Sequence, residues 1–558
     1  MYKRMNFIPR NEYPRPQLVR DNWLCLNGEW DFEIDDTLVG EELEYYKADG
    51  FSRKIVVPFC PESKLSGVCH KGFMNCVWYR REVKLEKKAG FRTLLHIGAA
   101  DYETTLWVNG KCAGNYRGGY SSFSFDITEL IQDGENVITV SCKDDIRSRE
   151  QPCGKQSPNY ESHGMIYTRT TGIYATVWIE EVPTAHIDYT KYTCSIEAGE
   201  VFIEVLCKNA NGMKLCAEAS FEGVSMGCAE ATVIGDRAFF SIKLRELHLW
   251  DIGKGNLYDL KLKLGQDEAK SYFGMREISY GNGGELKLNG KTRFWRFILD
   301  QGFNPDGIYT YPDEEYLEAD ILRGIDMGFD GARLHQRVFE PLTLYYCDKH
   351  GYAVFGEFGD WGLNLVSPNA FKTFSREWLS VMKRDYNHPS VIGWCPFNET
   401  HDTYSIIGMI YELTKQFDTT RPVIDASGWY HSVKTDILDA HDYEQDAVRL
   451  SEKYGDNGSE NPSISFLSEY GGILWAPDQY GVDGWGYGIH PENEEAFIER
   501  FRSQTHALLD SGRLCAFCYT QLTDVEEEKN GLYTYDRKPK FPPEVIRTIV
   551  SKKAKIEQ

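Results

Sequence analysis

The sequence predicts a multidomain α+β architecture, two β-sandwiches followed by a (β/α)8 barrel, and three observations carry that prediction. The chain has 558 residues, more than one hydrophobic core usually organises, so about two to four domains are expected. Up to about residue 277 short apolar and polar runs alternate between turn signals, as in antiparallel strands. From about residue 278 onward, β-branched or aromatic runs alternate with amphipathic helical stretches, the pattern of βα units.

The elements follow in chain order. Residues 1–182 contain the runs Trp23–Trp30, Val77–Leu85, Thr93–Ile97, Thr105–Gly110 and Asn136–Ser141, which read as an antiparallel sandwich. Residues 183–277 run from His186-Ile-Asp-Tyr189 through Val201–Leu206 to Leu257–Leu262; that length and strand density suit an immunoglobulin-like sandwich. Residues 278–558 hold eight strand candidates: Arg293–Leu299, Gly331–Leu334, Ala353–Glu357, Val391–Phe397, Pro422–Asp425, Ile437–Ala440, Ile464–Leu467 and Leu514–Tyr519. Amphipathic helices are predicted over Asp313–Met327, Pro341–His350, Ala370–Tyr386, Tyr404–Gln416 and Glu494–Leu509, enough for a (β/α)8 barrel.

Composition excludes several function classes. A formal net charge of −22 with no long Lys/Arg cluster repels phosphate backbones and anionic membranes. The N-terminus has no apolar run of signal-peptide length, and no stretch reaches the roughly 18 apolar residues of a membrane span, so a cytoplasmic location is expected. The 15 cysteines lack the spacing of a disulfide scaffold, and the pair Cys515 and Cys518 sits in an apolar strand whose alternation would point them to opposite faces. The 13 histidines are dispersed with no H-E-x-x-H, so neither a metal nor another cofactor is expected. An aromatic content of 14% favours a ligand that stacks on rings, as sugars do.

Chemistry in such barrels sits at the C-terminal ends of the strands, where the acidic residues are Asp300, Glu357, Glu399, Asp425, Asp442 and Glu469. Glu399 follows the fourth strand in Gly393-Trp-Cys-Pro-Phe-Asn-Glu-Thr400, and Glu469 the seventh in Ser465-Phe-Leu-Ser-Glu-Tyr-Gly-Gly472. A carboxylate directly after a buried strand is costly unless it is paired or used. Two such groups across a barrel mouth suit the hydrolysis of an acetal, one protonating the leaving oxygen and one attacking the anomeric carbon. The bland alternative for either glutamate alone is a salt-bridged rim residue.

These residues carry a resemblance. Tyr13-Pro-Arg-Pro-Gln17, Leu26-Asn-Gly-Glu-Trp30, Trp107-Val-Asn-Gly110, Asn398-Glu399 and Ser468-Glu469-Tyr-Gly471 resemble the motifs of glycoside hydrolase family 2, which contains β-galactosidases, β-glucuronidases and β-mannosidases. The resemblance covers nearly the whole chain. It implies a jelly-roll sugar-binding domain, an immunoglobulin-like domain and a catalytic TIM barrel, with Glu399 as acid/base, Glu469 as nucleophile and Asn398 on the substrate 2-hydroxyl. Arg333 fits the family's arginine after the second strand, whereas His335 departs by one position. Asp300 falls where relatives use His or Asp on the sugar, and His441, Tyr443, Trp485 and Tyr519 end strands or occupy loops at the expected mouth. For each of these a rim or core role is the competing reading, as it is for Glu357, Asp360 and Gln521.

The segment Glu526–Lys540 is similar to the stretch where β-glucuronidases place Asn-x-Lys on the uronate, but here it reads Glu528-Lys529-Asn530. Glutamate in place of asparagine adds like-charge repulsion. The expected activity is therefore that of an exo-acting retaining β-glycosidase, a β-galactosidase first, with β-glucuronidase, β-galacturonidase or α-L-arabinopyranosidase as alternatives, on an oligosaccharide or glycoside partner. A non-catalytic carbohydrate-binding protein is the rival from another class. The resemblance implies that dimers or tetramers are common and leaves the assembly of this chain open.

Overall fold

Strict alternation builds the β-rich half. In the computed structural model, which describes residues 8–281, 285–432, 434–456, 464–477 and 484–558, the strand Tyr258–Leu264 buries every odd-placed residue and exposes every even-placed one, the signature of a half-buried sheet. Two antiparallel sheets form the first sandwich. One has four strands in the order Trp23–Cys25, Val177–Pro183, Phe91–Ile97, Phe123–Asp126; the other has six, in the order Arg53–Val57, Gly28–Ile34, Cys76–Leu85, Gly134–Lys143, Glu103–Val108, Lys111–Arg117. Leu95, Ile97 and Ile179 from the first sheet meet Phe32, Tyr79 and Val140 from the second in one core. The second sandwich pairs a three-stranded sheet (His186–Ser195, Glu200–Lys208, Arg237–Lys243) with a four-stranded one built on Lys214–Phe221 and Tyr258–Leu264.

The N-terminal motifs are joints between these units. Tyr13 Oη and Arg15 Nη2 donate to Glu180 at 2.7 and 2.8 Å, and Arg20 bridges Glu180 and Asp267 at 3.0 and 2.8 Å, tying the first sandwich to the second. Asn27 donates to the Arg10 carbonyl at 2.9 Å and accepts from the Val177 amide at 3.0 Å. Asn109 and Gly110, at φ 52° and 75°, make the tight turn that a two-residue hairpin requires.

The barrel strands are buried except at Gly356 and Asp442, which are half-buried, as expected when helices cover one face and side chains fill the other. Seven form a parallel sheet in the order Val391–Cys395, Ala353–Glu357, Gly331–Leu334, Trp295–Asp300, Ala516–Thr520, Phe466–Gly471, Asp439–Asp442. Trp295, Phe297 and Leu299 fill the interior with Phe355, Ile392, Ile424 and Phe466, whereas Ile298, Ala332, Leu334, Leu467 and Phe517 face the helices.

The predicted fifth strand, Pro422–Asp425, is not a regular strand. Residues 422–427 follow the fourth strand through Trp394 N to Pro422 O (3.0 Å), Ile424 N to Trp394 O (2.9 Å) and Glu399 N to Ser427 O (2.8 Å). Towards Asp439–Asp442, among the described residues, the connections run through side chains: Ser427 Oγ donates to Asp439 at 2.6 Å and His431 Nε2 meets the Asp439 carbonyl at 2.9 Å. Proline has no N–H to give, and Asp, Ser and Thr satisfy the local backbone with their own side chains, so a ladder does not form. The sixth and seventh strands lie about two residues later than predicted, which puts Glu469 inside its strand. Cys515 precedes its strand and packs with Cys518 in the same interior cluster, not on the opposite face. The helices Ala447–Tyr454 and Pro543–Val550 carry no counterpart in the sequence reading.

Candidate active site

Arg333 is the centre of the site. It is the penultimate residue of the second barrel strand, Gly331–Leu334, with a fully buried side chain, so each guanidinium donor needs an acceptor. Nε and Nη2 grip Glu357 at 2.6 and 3.2 Å, Nη1 donates to Glu469 Oε1 at 3.1 Å and to the Ser468 carbonyl at 2.9 Å, and Nη2 donates to Asn398 Oδ1 at 3.0 Å. One cation thus holds the ends of the third, fourth and seventh predicted strands in register. It also orients Asn398, whose amide nitrogen has no hydrogen-bond partner among the described residues.

Glu469 is buried. Burial pushes its carboxyl upward, but His441, His335, Arg333 and the Tyr443 hydroxyl outweigh it and hold the pKa at about 2. Arg333 is the permanent charge among them, since burial drives His335 well below the ordinary histidine value. Tyr443 donates to Glu469 Oε2; its own proton is secured by burial and by the glutamate's charge, which raise it well above the usual phenol. The Tyr443 ring stacks on Tyr487 at 3.4 Å and 6°.

Glu399 lies across from this group with its side chain 19% exposed. His441 stands between the two glutamates: its Nδ1 is 2.7 Å from Glu399 Oε1, its Nε2 2.9 Å from Ser427 Oγ and 3.5 Å from Glu469 Oε1. One polar atom from each of Glu399, His441 and Glu469 lies within 4.8 Å of the other two. Gly428, at φ 119°, passes so close that a Cβ there would sit 3.2 Å from Glu399 Cγ and 3.3 Å from the His441 ring. The trio has the donors of a metal site, yet Arg333 Nη1 stands 3.1 Å from Glu469 and 3.4 Å from His441 Nε2, and a fixed positive charge at that range opposes a cation.

Of the other predicted residues, His335 joins the cluster: its Nε2 is 3.4 Å from Glu469 Oε1 and its Nδ1 3.0 Å from Gln301. Asp360 supports Asn398 by accepting its backbone N–H at 3.1 Å. Trp485 is half-buried at the mouth, its ring centre 5.0 Å from that of Tyr487. Asp300 and Tyr519 are not brought to the cluster. Asp300 accepts from Gly302 N at 2.8 Å; burial and the charge of Asp320, on the helix Glu314–Asp326, raise it to about 6. Tyr519 packs outward against Phe501 of the helix Glu494–Leu509. Alternation accounts for both: Asp300 shares the face of Ile298, and Tyr519 that of Phe517, which are turned towards the helices, while Leu299 and Cys518 take the interior.

Glu528 bends back into the structure, where Tyr167 donates to Oε2 and Asn530 Nδ2 to Oε1 at 3.0 Å; Gln521 in turn holds Asn530 at 2.8 Å. Tyr167 and its neighbour Lys155 belong to the first sandwich. Ser427, Tyr487, Tyr167 and Lys155 are absent from the sequence-derived candidates, and nothing in their local spacing marks them.

Comparison with known proteins gives this geometry its lineage. Models described as glycosyl hydrolases family 2 match in three pieces: the sugar binding domain over residues 24–150, the middle domain over 186–276 and the TIM barrel domain over 341–552. The chain belongs to glycosyl hydrolase family 2. This family 2 chain is 27% identical over 421 residues to a β-galactosidase of Thermoanaerobacter pseudethanolicus, covering 70% of itself and 54% of that relative. It therefore spans about half the length of that protein. It is 24% identical over 609 residues to the β-glucuronidase of Rattus norvegicus, covering 94% of itself and 89% of the relative. Among solved structures, a β-glucuronidase of an uncultured Clostridium superposes with a TM-score of 0.80 at 18% identity, covering 95% of this chain and 98% of that one. A second is the Bifidobacterium dentium β-glucuronidase complexed with coumarin-3-O-glucuronide, with a TM-score of 0.80 at 18% identity over 95% and 97% of the two chains. The family 2 fold thus extends over nearly the full length. No helix among the described residues is long and apolar enough to cross a membrane.

Proposed function

We propose that the chain is an exo-acting retaining β-glycosidase in which Glu469 is the nucleophile and Glu399 the acid/base. The observation that carries this reading is the approach of the two carboxylates to within 4.8 Å. Retaining enzymes need about 5–5.5 Å, and an inverting pair, which must admit a water, stands about 6.5–9.5 Å apart. The roles follow from environment. Glu469, held ionised beside Arg333, attacks the anomeric carbon, and a glycosyl ester forms as Glu399 passes a proton to the leaving oxygen. Glu399 then takes a proton from the water that cleaves the ester. Asn398 is aligned by Arg333 to hold the 2-hydroxyl.

Two readings of the glycone remain. Glu528 and Asn530 where glucuronidases carry Asn and Lys support a neutral β-galactoside, as does the β-galactosidase relative; the β-glucuronidase relatives support a hexuronide. Proton NMR of the first-formed sugar from a p-nitrophenyl β-glycoside tests the mechanism: the β-anomer should appear first, and the α-anomer would refute retention. Azide separates the roles. Glu469→Ala with azide should give the α-glycosyl azide, and Glu399→Ala the β-glycosyl azide.

A further inference from the structure

The first sandwich sends a lysine into the barrel mouth. Cys153 N donates to the Trp361 carbonyl at 2.9 Å and Gly154 N to the Gly359 carbonyl at 3.0 Å, locking the loop onto the segment after the third barrel strand. Gly154 is at φ 56°, and a Cβ there would lie 2.1 Å from the Gln336 carbonyl, so only glycine permits this approach. Lys155 comes next and is 4% exposed. Its Nζ lies over the rings of Trp361 and Tyr167, 5.4 and 5.5 Å from their centres. Among the described residues it has neither a hydrogen-bond partner nor an ion-pair partner. Buried lysines are almost always paired, because an uncompensated charge is costly to hold away from water.

Trp361 connects that ammonium to the site. Trp361 Nε1 donates to the Asn398 carbonyl at 2.9 Å, and the charge of Lys155 contributes to keeping His335 neutral. His335 Nε2, itself buried and without a hydrogen-bond partner, is 3.4 Å from Glu469 Oε1. An unsatisfied histidine nitrogen therefore lies beside Glu469, and the lysine reaches the same site through Trp361, whose ring it covers and whose Nε1 holds Asn398. Glu528 does not neutralise the lysine: its oxygens are taken by Tyr167 Oη and Asn530 Nδ2, and the Tyr167 ring, on whose face Lys155 rests, carries the hydroxyl that holds the glutamate.

We infer that Lys155 is a glycone-specificity residue, reading the carboxylate of a hexuronide from the sandwich side of the pocket. The inference rests on the glycosidase reading above and selects the acidic glycone within it. An ammonium here takes over the task that the Asn-x-Lys pair performs elsewhere in the family, and Glu528 is released to brace Tyr167. A charged hydrogen bond is worth roughly 1.5–3 kcal/mol, equivalent to about a 10- to 100-fold effect on selectivity.

The test compares kcat/KM for p-nitrophenyl β-D-glucuronide, β-D-galacturonide and β-D-galactoside. The unaltered protein should favour one of the two hexuronides over the galactoside. Lys155→Met should lower that selectivity roughly 10- to 100-fold, with Lys155→Arg restoring part of it. Equal losses on acidic and neutral substrates would overturn the inference and leave the glycosidase reading intact, as would a preference of the unaltered protein for the galactoside. Failure to hydrolyse any of the three would overturn this inference alone; only failure on p-nitrophenyl β-D-glucoside, β-D-mannoside and α-L-arabinopyranoside as well would remove the glycosidase reading. A measurement on the unaltered protein guards against misfolding of the variant: free D-glucuronate or D-galacturonate should inhibit at a concentration at least about 10-fold lower than D-galactose does. Equal inhibition would count against a carboxylate-reading lysine.

Discussion

Replacing Arg333 by methionine should bring the ionisation of Glu469, the proposed nucleophile, into the working pH range. Arg333 Nη1 is 3.1 Å from Glu469 Oε1. At an effective dielectric of about 20 that pair is worth about 5 kcal/mol, an upper bound of about four pH units. Water entering the vacated space would screen part of it, so a rise of roughly two to four units is expected from the present value of about 2. The sign follows from which form reacts. Glu469 must be ionised, so activity is lost as pH falls through its pKa, and the acid limb of kcat/KM should move to between about pH 4 and 6. The single change also strands Glu357, which burial already raises above the ordinary glutamate value; breaking such a buried pair costs about 3–5 kcal/mol of stability. The informative protein is therefore Arg333→Met with Glu357→Gln, in which neither a lone cation nor a second lone anion is left behind. Stopped assays over pH 3.5–8 on this double variant, checked for folding by thermal melting, read the limb directly. An acid limb that superimposes on that of the unaltered protein would refute the role given to Arg333.

Three further outcomes follow. Gly428→Ala should lower kcat about 10- to 100-fold with little change in KM, because the added methyl meets both Glu399 and His441 at a φ that disfavours alanine; steady-state kinetics giving full kcat would contradict the close packing. Burial pulls His431 down, but its hydrogen bond to Asp425 and the charges of Asp439 and Asp425 reverse this and lift it to about 9. A raised folded-state pKa contributes stability that is full below the unfolded value of about 6.5 and is lost as pH rises through 9. The melting temperature should fall across that window, and His431→Gln should flatten the slope. Finally, dialysis against EDTA should leave kcat/KM within about twofold, since Arg333 occupies the place a cation would take; loss of activity restored by a divalent ion would revive the metal reading of Glu399, His441 and Glu469.

Elements with strong local signals were legible from the sequence residue for residue. Pro341–His350 opens on a proline and ends at Gly351 in the left-handed region, and Glu494–Leu509 opens on Asn493, whose side chain accepts from Ala496 N; these are the start and stop signals that backbone chemistry imposes. Gly331–Leu334 and Ala353–Glu357 were equally clear as short apolar runs. Residues 422–427 misled because an apolar run predicts burial, which is observed, but not a ladder, which Pro422 and the side chains of Asp425 and Ser427 preclude. In the site, Glu399, Glu469, Asn398, Arg333, His441 and Tyr443, proposed from strand position and family resemblance, lie close together in the structure, at or near the C-terminal ends of their strands. Asp300 and Tyr519 satisfy the same criterion and face the helices. Lys155 and Tyr167 could not be found this way, because they reach the mouth from a unit more than a hundred residues upstream, and only the docking of two folded bodies brings them there.

The lock formed by Cys153 and Gly154 on the Gly359–Trp361 backbone has an evolutionary corollary. If Glu399 and Glu469 cleave and Lys155 reads the glycone, as proposed, cleavage and sugar preference lie on different modules, and a change in the single loop around Lys155 would alter preference without touching the carboxylate pair.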